Sequence, residues 1–164
     1  MKTVLSAGSA LVRRFSVAED TGGARAPRQP RSGRHGPVVI VAGADRRRRH
    51  QLSRQLRRNG YVVCHVPDGP SAYAAAAEQP PAAVVMEWLM PGSGGTDVCQ
   101  RMRQHPLLRR LPVVLLAARG DGDQIAEGFR AGADEVLTRP VDATELIVFL
   151  DRTLPWADGR RGRA

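Results

Sequence analysis

From Pro37 onward the chain alternates short apolar runs with longer segments of helical spacing, five times over, and few folds accept that rhythm. The apolar runs cover residues 38–42, 62–66, 83–86, 113–117 and 135–137. Segments of helical spacing follow them at 46–59, 71–78, 97–103, 124–131 and 143–153. Asp45 stands where an N-cap belongs and Gly60 where the first helix must stop, while Pro91-Gly92 and Pro112 punctuate later turns. The first, third and fourth runs are continuously apolar, as strands covered on both faces are. Strands joined through helices pair in parallel by right-handed crossovers, so the expected fold is a doubly wound α/β sheet. Such sheets bind ligands beyond the carboxyl ends of their strands. Function is sought there.

The rest of the chain narrows the possibilities. Hydrophobic residues make up 42%, enough for one core. No stretch approaches the ~20 apolar residues of a membrane span. Cys64 and Cys99 are too far apart for a CxxC pair and too few for a disulfide scaffold, so they read as buried thiols in a reducing cytoplasm. His35, His50, His65 and His105 lack zinc-site spacing. Lys and Arg total 25 against 16 Asp and Glu, a net charge of +9. That excess gathers at the two ends and leaves residues 37–153 close to neutral.

Three regions follow from this: a flexible basic leader over 1–36, a folded domain over 37–153 and a basic tail over 154–164. Residues 18–36 are rich in Gly, Pro, Arg and Ser and have too few apolar side chains to offset ordering entropy. The mildly apolar stretch before Arg13-Arg14 is too short for a secretory signal, and a twin-arginine signal has its apolar run after the arginines. A short amphipathic helix touching a membrane or partner is the alternative to an inert leader. Arg13-Arg14-Phe15-Ser16 matches a basophilic kinase pattern, but so short a pattern arises often by chance.

At the strand ends stand Gly43-Ala44, Glu87, Ala117 and Arg139-Pro140. They offer one carboxylate and one guanidinium. Magnesium takes octahedral oxygen ligands, usually one or two carboxylates with water and phosphate, so Glu87 alone is a poor site. Asp45 reads as the helix cap. No metal or cofactor is expected. Arginine presents a planar fork suited to a carboxylate, so Glu87 and Arg139 are expected to pair. The alternative is two solvent-directed side chains of little consequence.

The apolar run 38–42, Asn59-Gly60-Tyr61, Met90-Pro91-Gly92, Pro112-Val113-Val114, Ala131-Gly132-Ala133-Asp134 and Thr138-Arg139-Pro140 occur in that order across residues 37–153. Together they resemble the receiver domain of two-component response regulators. The resemblance implies a flavodoxin-like, five-stranded parallel sheet in the order 2-1-3-4-5, with helices on both faces, and a role in two-component or phosphorelay signalling. In that family an acidic pair after the first strand holds magnesium, and an Asp after the third accepts a phosphoryl group. A Thr or Ser ends the fourth strand, a Lys precedes the proline after the fifth, and an aromatic lies three residues before that Lys. The matching positions here are Gly43 and Ala44 (or Ala42 and Gly43 with the gap placed later), Glu87, Ala117, Arg139 and Val136. Every one departs. The resemblance therefore implies a degenerate pseudo-receiver, because catalysis of phosphoryl transfer is largely electrostatic and its metal cage is missing.

Two surfaces stand apart from the strand ends. The first helix carries Arg46, Arg47, Arg48, Arg49, Arg54, Arg57 and Arg58, with Leu52 and Leu56 as apolar anchors, and reads as a basic face. The last helix holds five consecutive apolar residues at 146–150, which span about 400° at 100° per residue and cannot all face the sheet. Ile147 and Phe149 are the expected interface, for a protein partner or a second copy. Gly92-Ser93-Gly94-Gly95 reads as turn geometry rather than a phosphate loop.

The expected function is a cytoplasmic, stand-alone signalling module that is not an enzyme and acts by protein–protein interaction without phosphorylation. After Leu154 only Pro155-Trp156 and an Arg-rich tail remain, so no output domain is expected to follow. One alternative is a nucleic-acid-associated regulator using the basic first helix and tails. It lacks a helix-turn-helix, a zinc finger or an aromatic RNA platform. Another is an atypical receiver still phosphorylated at Glu87.

Overall fold

The computed structural model describes residues 36–118 and 122–155. All of the expected leader but Gly36, the kinase-like pattern at 13–16 and the tail from 156 lie outside the described residues. Five strands, β1 (Val38–Ala42), β2 (Val62–Val66), β3 (Ala83–Glu87), β4 (Val113–Ala117) and β5 (Glu135–Thr138), alternate with five helices. These are α1 (Arg46–Arg58), α2 (Gly69–Glu78), α3 (Gly95–Gln104), α4 (Gly122–Arg130) and α5 (Ala143–Thr153). The strands form one parallel sheet in the order β2-β1-β3-β4-β5. The doubly wound fold and its strand order are as expected.

Period-two alternation divides the core between the two faces of the sheet. Ile40, Val84, Met86 and Leu115 point toward α2, α3 and α4, where they meet Ala72, Val98, Cys99 and Met102. Val39, Val41, Val85 and Val114 point the other way, toward Leu56 of α1 and Leu146 and Leu150 of α5. Both cysteines are buried and free.

Helix starts follow local chemistry. Asp45 caps α1, its carboxylate accepting from the Arg48 amide at 3.1 Å. Asp68 does the same for α2 from the Ser71 amide at 2.7 Å, with Pro70 in the first turn, so that helix begins two residues before the expected 71. Gly60, at φ 87°, ends α1 in a left-handed conformation that L side chains resist.

One surface expectation is corrected and another is refined. Arg49 is not part of the basic face: it is 9% exposed. Positions 49, 52, 53 and 56 fall on one helical stripe, and the stripe that buries Leu56 and Ser53 takes Arg49 inward with them. Arg46, Arg47, Arg48, Arg54, Arg57 and Arg58 are exposed. On α5, Leu146 and Leu150 are fully buried, and Ile147 and Phe149 are half-buried against the same core. The exposed apolar residue of that helix is Val148, which lies 200° from Leu146.

A polar clamp closes the opposite end of the sheet. The Arg103 guanidinium donates to the carbonyls of Gly132 and Leu111 at 2.8 Å each, and to Asp134 Oδ2 at 2.9 Å. Asp134 Oδ2 also accepts from the Val113 amide at 2.8 Å, so one arginine ties α3 to the connections that lead into β4 and β5.

Candidate functional site at the strand ends

Backbone bonds beyond the regular ladder hold the strand ends together. The Gly43 amide donates to Val66 O at 3.1 Å, the Trp88 amide to Leu116 O at 3.0 Å and the Arg139 amide to Ala117 O at 3.1 Å. In register, Glu87 lies opposite Leu116, and Ala117 opposite Thr138. The positions singled out in the sequence therefore converge on one corner.

Within it, Arg139 Nη2 donates to Glu87 Oε1, the two side chains being 22% and 12% exposed. A mostly buried, charge-assisted contact of this kind differs from the weak pairs of open surfaces. Gly43 makes room for it. A Cβ at position 43 would lie 2.6 Å from Glu87 Cδ and 2.9 Å from Oε2, so the methylene that Glu has over Asp fills space that a side chain there would need. Gly95 abuts the same residue from α3, where a Cβ would lie 2.5 Å from the Glu87 carbonyl oxygen. Close packing, rather than phosphate binding, accounts for that glycine. Gly92 adopts φ 80°, as the turn reading of the segment requires.

The site holds few oxygen donors. Ala44 is exposed, Ala117 is fully buried, and neither carries a donor. The Asp45 carboxyl is held below its ordinary value, chiefly by the hydrogen bond from the Arg48 amide, and is committed to the cap. Among the described residues no group of three His, Cys, Asp or Glu comes together. A single carboxylate already paired with a guanidinium does not fit a divalent ion that asks for several oxygens.

Sequence reasoning missed two participants. Trp88, directly after Glu87, is buried beside Val136 and against Gly128 of α4. A Cβ on Gly128 would lie 2.7 Å from Val136 Cγ2 and 3.1 Å from Trp88 Cζ3. A tryptophan next to a strand-end carboxylate, in a chain with 4% aromatics, was the available signal. The second is Arg49, whose Nη1 donates to the Gly43 carbonyl. Its place on the 49-52-56 stripe was visible in the spacing. Ile147 and Phe149 lie outside this corner, on α5.

Beside the corner a cleft of about 810 Å³ opens between α1 and the β5–α5 connection. Arg48, Arg49 and Gln55 form part of one wall, and Glu87, Arg139 and Val141 part of the other.

A five-stranded parallel sheet in this order, with an acidic residue ending β3 and a cation before the proline after β5, defines a receiver-type α/β domain. The chain belongs to the response regulator receiver domain family, whose model matches residues 39–159. It is 39% identical over 92 residues to the response regulator PleD of Caulobacter vibrioides, covering 56% of this chain and 20% of that one. To the phosphate regulon transcriptional regulatory protein PhoB of Rhizobium meliloti it is 32% identical over 96 residues, 58% of this chain and 42% of the other. The chain thus spans less than half the length of either relative. A crystal structure from Chloroflexus aurantiacus, assigned to the response regulators, superposes with a TM-score of 0.70 at 31% identity, over 72% of this chain and 97% of that one. No helix among the described residues is long and apolar enough to cross a membrane.

Proposed function

We propose that this chain is a degenerate receiver: a cytoplasmic, non-enzymatic module of two-component signalling that acts by protein–protein interaction and without phosphoryl transfer. The observation that carries this reading is the Glu87–Arg139 pair, seated against Gly43. Phosphoryl transfer needs a free carboxylate oxygen in line with the donor and a metal to neutralise the developing charge. Here a guanidinium engages the carboxylate, and among the described residues no group of three His, Cys, Asp or Glu comes together. Ala117 has no hydroxyl to draw a loop toward a phosphate, and Val136 has no ring to swing. The pair takes the place of metal and phosphate and holds the strand ends in one state. Output then comes through binding, for which α5 offers Val148 flanked by Ile147 and Phe149, to a protein partner or a second copy.

Incubation of the full chain with acetyl phosphate and magnesium, followed by intact mass, tests the reading. An unchanged mass is expected. Gain of one phosphoryl group, mapped to Glu87, overturns it in favour of an atypical phosphorylated receiver. Sedimentation of the chain beside Phe149→Asp tests the α5 surface.

The six exposed arginines of α1 favour a second reading, a nucleic-acid-associated regulator. Retardation of DNA or RNA that weakens steeply with added salt would support it, because phosphate contacts release counterions.

A further inference from the structure

We propose that the cleft between α1 and the β5–α5 connection binds a small organic oxyanion, a carboxylate or phosphate monoester on an apolar body, with Arg49 as its principal cation. The proposal rests on the reading of Glu87 and Arg139 as a closed pair, because it takes both charges to be already spent on each other.

The cleft, at about 810 Å³, is of a size that holds small ligands. Three arginines and one carboxylate line it, and the arginines differ in what they already hold. Arg139 is engaged by Glu87. Arg48 reaches Asp45 at 3.3 Å, at the exposed rim. Arg49 has no such partner. It is 9% exposed, its Nη1 donates to the neutral carbonyl of Gly43, and its Nε has no acceptor. Among the described residues no carboxylate stands within ion-pair distance of it.

A guanidinium so deeply buried is ordinarily matched by an anion, since an uncompensated buried charge destabilises the fold. Its fork of N–H donors is shaped for the two oxygens of a carboxylate or phosphate. The position itself sharpens the point, because the stripe it occupies also buries Ser53 and Leu56, and an uncharged side chain would pack there at no electrostatic cost. The remaining walls suit the rest of such a molecule. Gln51 and Gln55 supply neutral donors and acceptors, while Leu52 and Val141 supply apolar contact.

The test is calorimetric titration of the full chain with two probes, phenyl phosphate and benzoate, which share the body and separate the head groups. Saturable binding of at least one probe, one molecule per chain, is expected. Arg49→Met should weaken it by about tenfold or more. Gln55→Glu, a milder change that sets a negative charge on the cleft wall, should do the same, and it serves if Arg49→Met does not fold. Arg109→Gln, exposed and outside the cleft, should leave binding unchanged. The proposal is overturned if neither probe saturates at about 10 mM, above the weak affinity of a fragment. Binding that survives the cleft substitutions overturns it as well. The acetyl phosphate experiment reads the Glu87 pair alone: a phosphoryl adduct removes the closed-pair reading, whereas an unchanged mass with no probe bound removes only the cleft proposal.

Discussion

Gly43 and Glu87 are two halves of one substitution. A carboxylate one methylene longer needs the space that a side chain after β1 would fill, and a Cβ there would lie 2.6 Å from Glu87 Cδ. Gly43→Asp alone is therefore expected to disturb the Glu87–Arg139 contact and to lower stability by about 1–3 kcal/mol, the usual cost of overpacking. Arg139→Met should cost about 2–3 kcal/mol in urea unfolding, because it leaves a mostly buried carboxylate without its cation. Adding Glu87→Gln should recover part of that loss, and additive losses would mean the two residues act separately. The thiols bear on pH. Burial pushes both Cys64 and Cys99 up to about 11 from an ordinary value of 9.0. The folded chain keeps protons that the unfolded chain releases, so stability should fall as pH climbs from about 9 to 11 and not below that window. Urea unfolding across that range should show the decline, with a shallower slope for Cys99→Ala. At this scale the pair was legible, since the strand ends offered one carboxylate, after β3, and one guanidinium, after β5. The burial of Arg49 was not, because a run of arginines reads as solvated unless each is placed on its stripe.

The helices were read from their spacing, and what was missed belongs to contacts between them. The Asp45 cap and the Gly60 stop act within a few residues and show in the sequence. Gly128 is different: its need for a missing side chain comes from Trp88 and Val136, which belong to other elements. Gly128→Val should lift α4 from β5 and cost about 2 kcal/mol, with a shift in the emission of Trp88 in a Trp156→Phe background. Arg103 was likewise read only as part of a helix. It donates to four carbonyls and one carboxylate across two connections, those before β4 and before β5. Arg103→Met should lower stability by about 2–4 kcal/mol, and Arg103→Lys should restore only part, because an ammonium lacks the planar fork. On α5 the limit of the sequence is simpler. Spacing showed that five apolar residues cannot all face inward, but only packing shows which of them the core covers, and it covers Ile147 and Phe149 by half.

Over the whole molecule, the reading proposed above puts the departures from the family pattern in side chains at the strand ends. The strand order is that of a receiver domain, and the core fills both faces of the sheet. Apolar periodicity pointed to a parallel sheet, whereas the order of its strands came only from linked motifs, because long-range pairing leaves no periodic trace. If the scaffold is intact, restoring the missing groups together should restore metal binding. The substitutions are coupled, so they have to be made together: Glu87→Asp clears the space that Gly43→Asp needs, and Ala44→Asp completes the acidic pair. In a Trp156→Phe background, Trp88 lies next to position 87 and its emission reports the corner. Magnesium should produce no saturable change in the parent chain and a saturable one, at millimolar concentrations, in the triple variant. Gly43→Asp alone should also show no saturable change with magnesium, because Glu87 still occupies the space the added carboxylate needs and the acidic pair stays incomplete. A triple variant that folds but ignores magnesium would mean that the backbone at the strand ends has also moved from a metal-binding geometry, and that the loss is built into the fold rather than into three side chains.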